Sequence, residues 1–283
     1  MLYEKIDACL SKNDESGTIA LLELIPDHEK KNLAGILEIS IYKNHKNLFS
    51  HILDNYDVTP FNTPHENFFD AVYNSYFEEN ADFIFYVKHL MERNIDIYSP
   101  NREKETFIEN LVFSDYENKF ELLDCLLEEG IQLKSNPLKD KTLLVRSLPH
   151  KTLFKYLYDN CPNLLDEKSK KGNNFFITAV QNKKYDLVED MIANKNINID
   201  QTGYANASSL LFSIINQDIK MTEILLNAQA NPYISNEKGL DAFSLQEMIY
   251  MGYKGKGQAT KTVEEFNSLI KSYKQNKTKM KLK

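Results

Sequence analysis

Hydrophobic residues recur along most of this chain at the three- and four-residue spacing of a single helix face. Phe120, Leu123, Leu126 and Leu127 show this spacing clearly. The alternation of apolar and polar positions that is typical of strands is nearly missing. The pattern therefore predicts an all-α protein.

The helical segments return at a regular interval in the C-terminal half of the chain. Leu210 and Phe243 occupy the same place in segments 33 residues apart, and Phe176 precedes Leu210 by 34 residues. Four earlier anchors precede Phe176 at successive intervals of 32, 36, 40 and 31 residues: Leu144, Ile108, Phe68 and Leu37. A six-residue surplus at residues 77–82 is placed between the two helices of one pair. A period near 33 indicates stacked helix pairs, each of which packs on its neighbours.

The clearest of these segments resembles the ankyrin repeat. Residues 208–211 stand where that repeat has its Thr-Pro-Leu-His helix start, and Ser213 stands at its first small residue. Residues 230–232 match the tail of the repeat, and Asn236 with Gly239 matches the opening turn of the next unit. The resemblance implies a solenoid of about seven to eight helix pairs with short or irregular finger loops, since most of the family's turn glycines are replaced.

The same resemblance implies a domain division. Residues 1–253 are expected to form the ankyrin-like solenoid. Residues 254–283 are expected to hold a flexible connection, a final capping helix over residues 263–273, and a basic tail.

The resemblance also implies where a partner would bind, because the family's contact residues follow the small residue of each first helix or lie at the finger tips. The matching helix positions are Tyr42, Lys43, Tyr73, Asn74, Phe113, Ser114, Gln181, Asn182, Ile215 and Asn216. The matching finger positions are Lys170, Lys171, Asn173, Glu237, Lys238 and Leu240. Three of the helix positions are aromatic, and they would form an exposed stripe or, alternatively, part of the core.

Charge is distributed unevenly along the chain. The net charge is −7, but residues 254–283 carry nine Lys and two acids, so residues 1–253 carry −14. An acidic solenoid attracts a basic partner at long range. The lysine tail is interpreted as a solvated helix end, with nucleic-acid binding as the less favoured alternative because the tail holds no Arg for bidentate recognition.

Spacings that carry catalysis or metal binding are missing. The six His form no His-Glu-x-x-His pair, there is no Cys-x-x-Cys, and the glycines at 252, 255 and 257 lack the Lys-Ser or Lys-Thr of a phosphate loop. No cofactor, metal or small-molecule substrate is predicted. The three cysteines are far apart, and Cys125 is expected to be a buried thiol in a reducing, cytoplasmic setting. No apolar run is long enough for a membrane span.

These features favour a non-enzymatic protein-binding module. The strong bias toward Asn, Lys and Ile suggests an AT-rich bacterial or viral genome. In that setting the first hypothesis is an inhibitor or immunity protein that neutralises a partner, such as a basic toxin, through an acidic concave surface. The alternatives are a host-targeted effector or scaffold and, least favoured, an enzyme with a hidden catalytic part.

Overall fold

A computed structural model describes residues 2–26, 30, 32–61, 67–77, 82–258 and 260–281, with only the backbone described for residues 61, 76, 77 and 276–281. The insertion predicted at residues 77–82 falls mostly outside the described residues. Within the described residues there are sixteen α-helices and no strand, only an isolated bridge between Thr202 and Ser208. The all-α prediction is therefore confirmed.

The helices follow one another as eight pairs among the described residues. In the first half of the chain the pairs are α1 (Leu2–Ser11) with α2 (Glu15–Leu22), α3 (Leu33–Tyr42) with α4 (Lys46–Asn55), α5 (Phe68–Phe77) with α6 (Phe83–Glu92), and α7 (Phe107–Phe113) with α8 (Lys119–Glu128). In the second half they are α9 (Leu143–Ser147) with α10 (Lys151–Asn160), α11 (Phe175–Gln181) with α12 (Tyr185–Asn194), α13 (Ser209–Ile215) with α14 (Ile219–Asn227), and α15 (Ala242–Gly255) with α16 (Lys261–Lys281).

The chain forms two compact units, Met1–Leu138 and Lys139–Lys283, here called the N-terminal and C-terminal units. In the N-terminal unit α3 packs on α4 and α5, and α5 packs on α6 and α7. In the C-terminal unit α9, α11, α13 and α15 form a row in which each helix packs on the next. The first helix of a pair therefore contacts both its own partner and the first helix of the neighbouring pair, as in a stacked helical repeat.

The finger loops before four first helices share one local structure. Each finger has five residues and is closed by a hydrogen bond from its first N–H to its fifth carbonyl, over residues 101–105, 169–173, 203–207 and 236–240. The fourth residue has a positive φ in every case: Lys104, Gly172, Asn206 and Gly239. A polar side chain after each finger then caps the helix by accepting from the N–H three residues on, at Thr106, Asn174, Ser208 and Asp241. These caps fix where the helices begin.

Buried serines set the register of the first helices. Ser40, Ser75 and Ser114 in the N-terminal unit each donate from Oγ to the carbonyl three residues before. Ser147 and Ser213 do the same in the C-terminal unit. The residues that precede the N-terminal helices are at positions 32, 67 and 106, and each serine stands eight residues after one of them. In the C-terminal unit the preceding residues are at positions 142 and 208, and each serine stands only five residues later. The N-terminal helices thus hold about one extra turn before the serine.

The last pair differs from the expected domain division. The predicted boundary between residues 253 and 254 falls inside α15, which continues through Gly252 and Gly255, where the sequence suggests a flexible connection. Val263, Phe266 and Ile270 of α16 are buried, and α16 packs on α15. Their spacing of three and four residues gives α16 an apolar face, which stabilises the long final pair.

The cysteines differ in part from the sequence prediction. Cys125 is half-buried and not fully buried, because it lies at the edge of the apolar face of α8, between exposed Asp124 and buried Leu126. Cys161 is the buried thiol, and neither of these two nor Cys9 forms a disulfide.

Candidate protein-binding surfaces

The three aromatic residues predicted to form one stripe occupy three different positions. Tyr42 lies ten residues after position 32, Tyr73 six after position 67, and Phe113 seven after position 106. All three side chains are half-buried. The three residues therefore do not stand at equivalent helix positions, because the anchors from which they were counted, Leu37, Phe68 and Ile108, lie five, one and two residues after positions 32, 67 and 106. A contact role for the individual residues stays a prediction.

One acidic group, the Asp115 carboxylate, lies near Tyr73. Burial raises the pKa of Tyr73, and the nearby Asp115 carboxylate raises it further because ionised Tyr73 would repel it. Lys43 and Asn74 are exposed next to the aromatic positions. Ser114 is buried and its Oγ donates to the Leu111 carbonyl, so its side chain is not presented to a partner, while its backbone carbonyl accepts from Lys119 Nζ.

The predicted finger-tip residues lie in the C-terminal unit. Lys170, Lys171, Glu237 and Lys238 are exposed, whereas Leu240 is half-buried. The side chain of Asn173 is used within the fold, since its Oδ1 accepts from Tyr204 N at 2.8 Å and its Nδ2 donates to Gln181 Oε1 at 3.1 Å. Asn173 and Gln181 therefore tie a finger to its own first helix and to the next finger.

A second set of predicted residues forms a row on consecutive helices of the C-terminal unit. Gln181 on α11 and Ile215 on α13 occupy the same position, two residues after Ala179 and Ser213. Met248 on α15 is the third member, and the sequence reasoning missed it although it lies 33 residues after Ile215. Asn182 and Asn216, next to the first two, are exposed.

The row ends in an apolar groove between α13 and α15. The groove has a volume of about 620 Å³. Its residues are Ile215, Gln217, Leu245, Met248, Ile249, Gly252, Tyr253, Lys256 and Gln258. Ile215 is 48% exposed, Met248 53% and Tyr253 38%, so large apolar side chains face solvent here. A contiguous exposed apolar surface of this kind is typical of an interaction site.

One buried amide in the groove has an unused acceptor. Gln217 Nε2 donates to the Ile214 carbonyl at 2.8 Å and to Gln246 Oε1 at 3.0 Å. Because a backbone carbonyl can only accept, this contact fixes which side of the amide carries the nitrogen. Gln217 Oε1 is buried and has no hydrogen-bond partner among the described residues.

A second concave surface, here called the lysine cleft, lies between α9 and α11. Its volume is about 490 Å³. It is lined by Asp140, Lys141, Thr142, Val145, Leu148, Pro149, Ser169, Lys171, Asn173, Thr178, Asn182 and Lys184. Its one acid, Asp140, lies 3.7 Å from Lys170 Nζ, so the lining is predominantly basic.

The two units carry opposite net charge. The N-terminal unit holds 26 Asp and Glu against 12 Lys and Arg, a net charge of −14, and the C-terminal unit holds 15 against 22, a net charge of +7. On α8 the exposed acids Glu121, Asp124 and Glu128 repeat at helical spacing, and exposed Glu117 lies just before the helix. The acidic surplus predicted for residues 1–253 is therefore carried entirely by the N-terminal unit.

Over the described part of the chain, no group of three or more His, Cys, Asp and Glu is placed to hold a metal ion. No described helix has both the length and the apolar content needed to cross a membrane.

Comparison with known proteins gives a fold. No protein-family model and no curated protein sequence matches the chain. Among solved structures, an ankyrin repeat protein from Leishmania major is 15% identical, with a TM-score of 0.57 over 95% of this chain and 96% of that one. The chain has the ankyrin-repeat fold. The ankyrin repeat domain of Bcl-3, a member of the IkappaB family, is 14% identical over 76% of this chain and 80% of that one, with a TM-score of 0.42. An ankyrin repeat domain from Acinetobacter baumannii AYE is 14% identical over 83% of this chain and 96% of that one, with a TM-score of 0.35.

In ankyrin-repeat terms, the fingers and first helices of this chain are the elements that carry the predicted contact residues. The prediction of short fingers is confirmed at the four five-residue loops. At this level of identity the comparison establishes the fold alone.

Proposed function

We propose that this chain is a non-enzymatic protein-binding module whose N-terminal unit binds and neutralises a basic partner protein. The observation that carries the proposal is the net charge of −14 on a stacked-repeat unit of 138 residues. Stacked repeats present side chains from successive units on one extended surface, which suits them to binding other proteins. A concentrated negative field accelerates encounter with a basic partner and disfavours acidic ones.

Two features support binding through this unit. Half-buried Tyr42 and Tyr73 offer aromatic surface beside exposed Lys43 and Asn74, and Phe113 is half-buried as well. Aromatic side chains are frequent anchors in interfaces. The acids of α8 are exposed and repeat along one helix face. An inhibitor or immunity protein acting on a basic toxin is the specific form of the proposal, and a cytoplasmic location goes with it.

The first experiment identifies the partner and its charge. The full chain is used to isolate partners from its native cell, and each candidate is then bound to purified chain at several salt concentrations. We expect a basic protein whose affinity falls as salt rises and whose own activity is lost in the complex. A partner that keeps its activity when bound would favour the alternative of an effector or scaffold.

A matched pair of charge variants tests which unit is used. Glu117→Lys/Glu121→Lys/Glu128→Lys changes exposed residues of the N-terminal unit, and Asp186→Lys/Glu189→Lys/Glu223→Lys makes the same change of charge on exposed residues of the C-terminal unit. We expect the association rate to fall about tenfold or more in the first variant only. Equal effects of the two variants, or none, would contradict binding through the N-terminal unit.

A further inference from the structure

The C-terminal unit holds a second, separate candidate site, formed by the apolar groove and the lysine cleft. The cleft lies between α9 and α11, and the groove lies between α13 and α15, along one row of packed first helices. The two linings share one helix position, since Pro149 in the cleft and Ile215 and Met248 in the groove each stand seven residues after the residue that precedes their helix, and finger residues such as Lys171 complete the cleft. The two surfaces therefore belong to one face of this row.

The chemistry of the linings defines what would bind. The groove offers Ile215, Met248 and Tyr253 as exposed apolar contacts, and methionine adapts its shape to different apolar partners. These contacts suit an apolar side chain of a partner.

The charged residues that line the groove and the cleft are mostly lysines. Lys256 lines the groove, Lys141, Lys171 and Lys184 line the cleft, and Asp140 is the one acid, beside Lys170. A segment that lies over both surfaces therefore meets positive charge at both places. Carboxylates are the complementary groups, and their contribution would decrease with salt.

We propose that this face of the C-terminal unit binds an acidic linear peptide segment of a partner protein, with one apolar side chain in the groove and carboxylates over the lysine cleft. Packed helices lie about 8–10 Å apart, and two such spacings separate the groove from the cleft, so their centres are about 16–20 Å apart. An extended chain spans this distance in about six residues. The predicted ligand thus has an apolar anchor and an acidic stretch separated by about six residues. The inference is independent of the proposed function of the N-terminal unit.

The test selects peptides against the full chain. A display library of random 16-residue peptides is selected on the wild-type protein and depleted on the variant Ile215→Asp/Met248→Asp, whose two changes are at exposed positions that tolerate a polar side chain. We expect the surviving peptides to share an apolar anchor with Asp or Glu about six residues away. Survivors that are basic, or no peptide that distinguishes the two proteins, would overturn the proposal.

Affinity measurements on a selected peptide then test each part of the site. Met248→Asp should weaken binding by about tenfold or more, since it removes an apolar contact at the centre of the groove. Met251→Asp is the matched control, because Met251 is 59% exposed on the same helix but does not line the groove, and it should change the affinity less than about twofold. Lys171→Glu/Lys184→Glu should weaken binding several-fold and flatten its salt dependence.

Sedimentation of the free protein addresses a different occupant. The proposal expects the chain to keep the same mass over a range of concentrations, with or without Met248→Asp. Self-association that Met248→Asp abolishes would assign the groove to a second copy of this chain and overturn the peptide proposal. The variants of α8 leave every residue of this face unchanged, so failure of the proposed function and failure of this inference are distinguishable.

Discussion

Glu109 is predicted to be a main stabilising residue of the N-terminal unit, and Glu109→Ala tests this. The side chain is 1% exposed, and its Oε2 accepts from Thr106 N at 3.3 Å in a capping box and from Asn136 Nδ2 at 2.5 Å. Asn136 also donates to the Lys104 carbonyl, so it links the segment after α8 to the preceding finger and helix. A similar link, Asn101 Nδ2 to Asp70 Oδ1 at 3.2 Å, stands one pair earlier.

The magnitude follows from the donors that lose their acceptor. Glu109→Ala leaves the buried Thr106 N–H without its side-chain partner and removes one of the two acceptors of Asn136, each at a cost of about 1–2 kcal/mol. The expected loss in the free energy of unfolding is therefore about 2–4 kcal/mol, a large share of the total stability of a domain. Glu109→Gln keeps an acceptor oxygen of the same reach and should lose only about 1 kcal/mol.

Urea unfolding followed by circular dichroism measures the total effect, and hydrogen exchange locates it. Exchange should increase over residues 101–138 in Glu109→Ala and remain unchanged over residues 169–227. Glu117→Ala, at an exposed site of the same unit, is the control and should change stability by less than about 0.5 kcal/mol. A double-mutant cycle with Asn136→Ala should give a coupling of about 1 kcal/mol. A loss below about 0.5 kcal/mol for Glu109→Ala, or a coupling near zero, would refute the reasoning.

Two further predictions concern His45 and Gln229. His45 is 4% exposed at the start of α4, and burial lowers its pKa, with Glu15 raising it and Lys43 lowering it by smaller amounts. The unfolded chain therefore binds more protons, so the free energy of unfolding should fall as pH drops below about 6.5. His45→Asn should remove this pH dependence between about pH 7.5 and 5.5 and should also supply a helix cap. An unchanged pH dependence in the variant would contradict the assignment to His45. Gln229 has φ 66° after α14, where the next N–H, that of Ala230, bonds to the Leu225 carbonyl. Gln229→Gly should stabilise the protein by about 0.5–1 kcal/mol in thermal unfolding, because glycine adopts a positive φ without a side-chain clash. A lower melting temperature for the variant would refute this prediction.

Much of the local structure could be predicted from the sequence. The helix-forming apolar pattern and the caps at Thr106, Ser208 and Asp241 are local signals, because a cap depends on a side chain and an N–H only three residues away. The positive-φ positions at Lys104 and Asn206 were harder to recognise, since their side chains are not glycine and only the closed finger holds the backbone there.

The candidate sites depended more on tertiary structure. Ile215 was predicted from the repeat and is exposed, and the 33-residue period applied once more would have found Met248. Tyr42, Tyr73 and Phe113 do not align because their anchors Leu37, Phe68 and Ile108 stand at different distances from the helix starts, and those starts are known only from the structure. The orientation of the Gln217 amide likewise depends on its hydrogen bonds to the Ile214 carbonyl and to Gln246, which lies 29 residues further along the chain.

The sequence by itself determined the helix pairs, the repeat period and the net charge, because these follow from residue types and short-range spacing. Tertiary structure decided how the charge divides, since the boundary at Leu138 and Lys139 is set by which helices pack together. It also decided which side chains of each repeat reach solvent, because exposure depends on the neighbouring pair as well as on the helix itself. Ile215 and Met248 are apolar and recur at the repeat spacing, as core residues do. Only the packing of α13 and α15 shows that these two side chains are exposed and not part of the core.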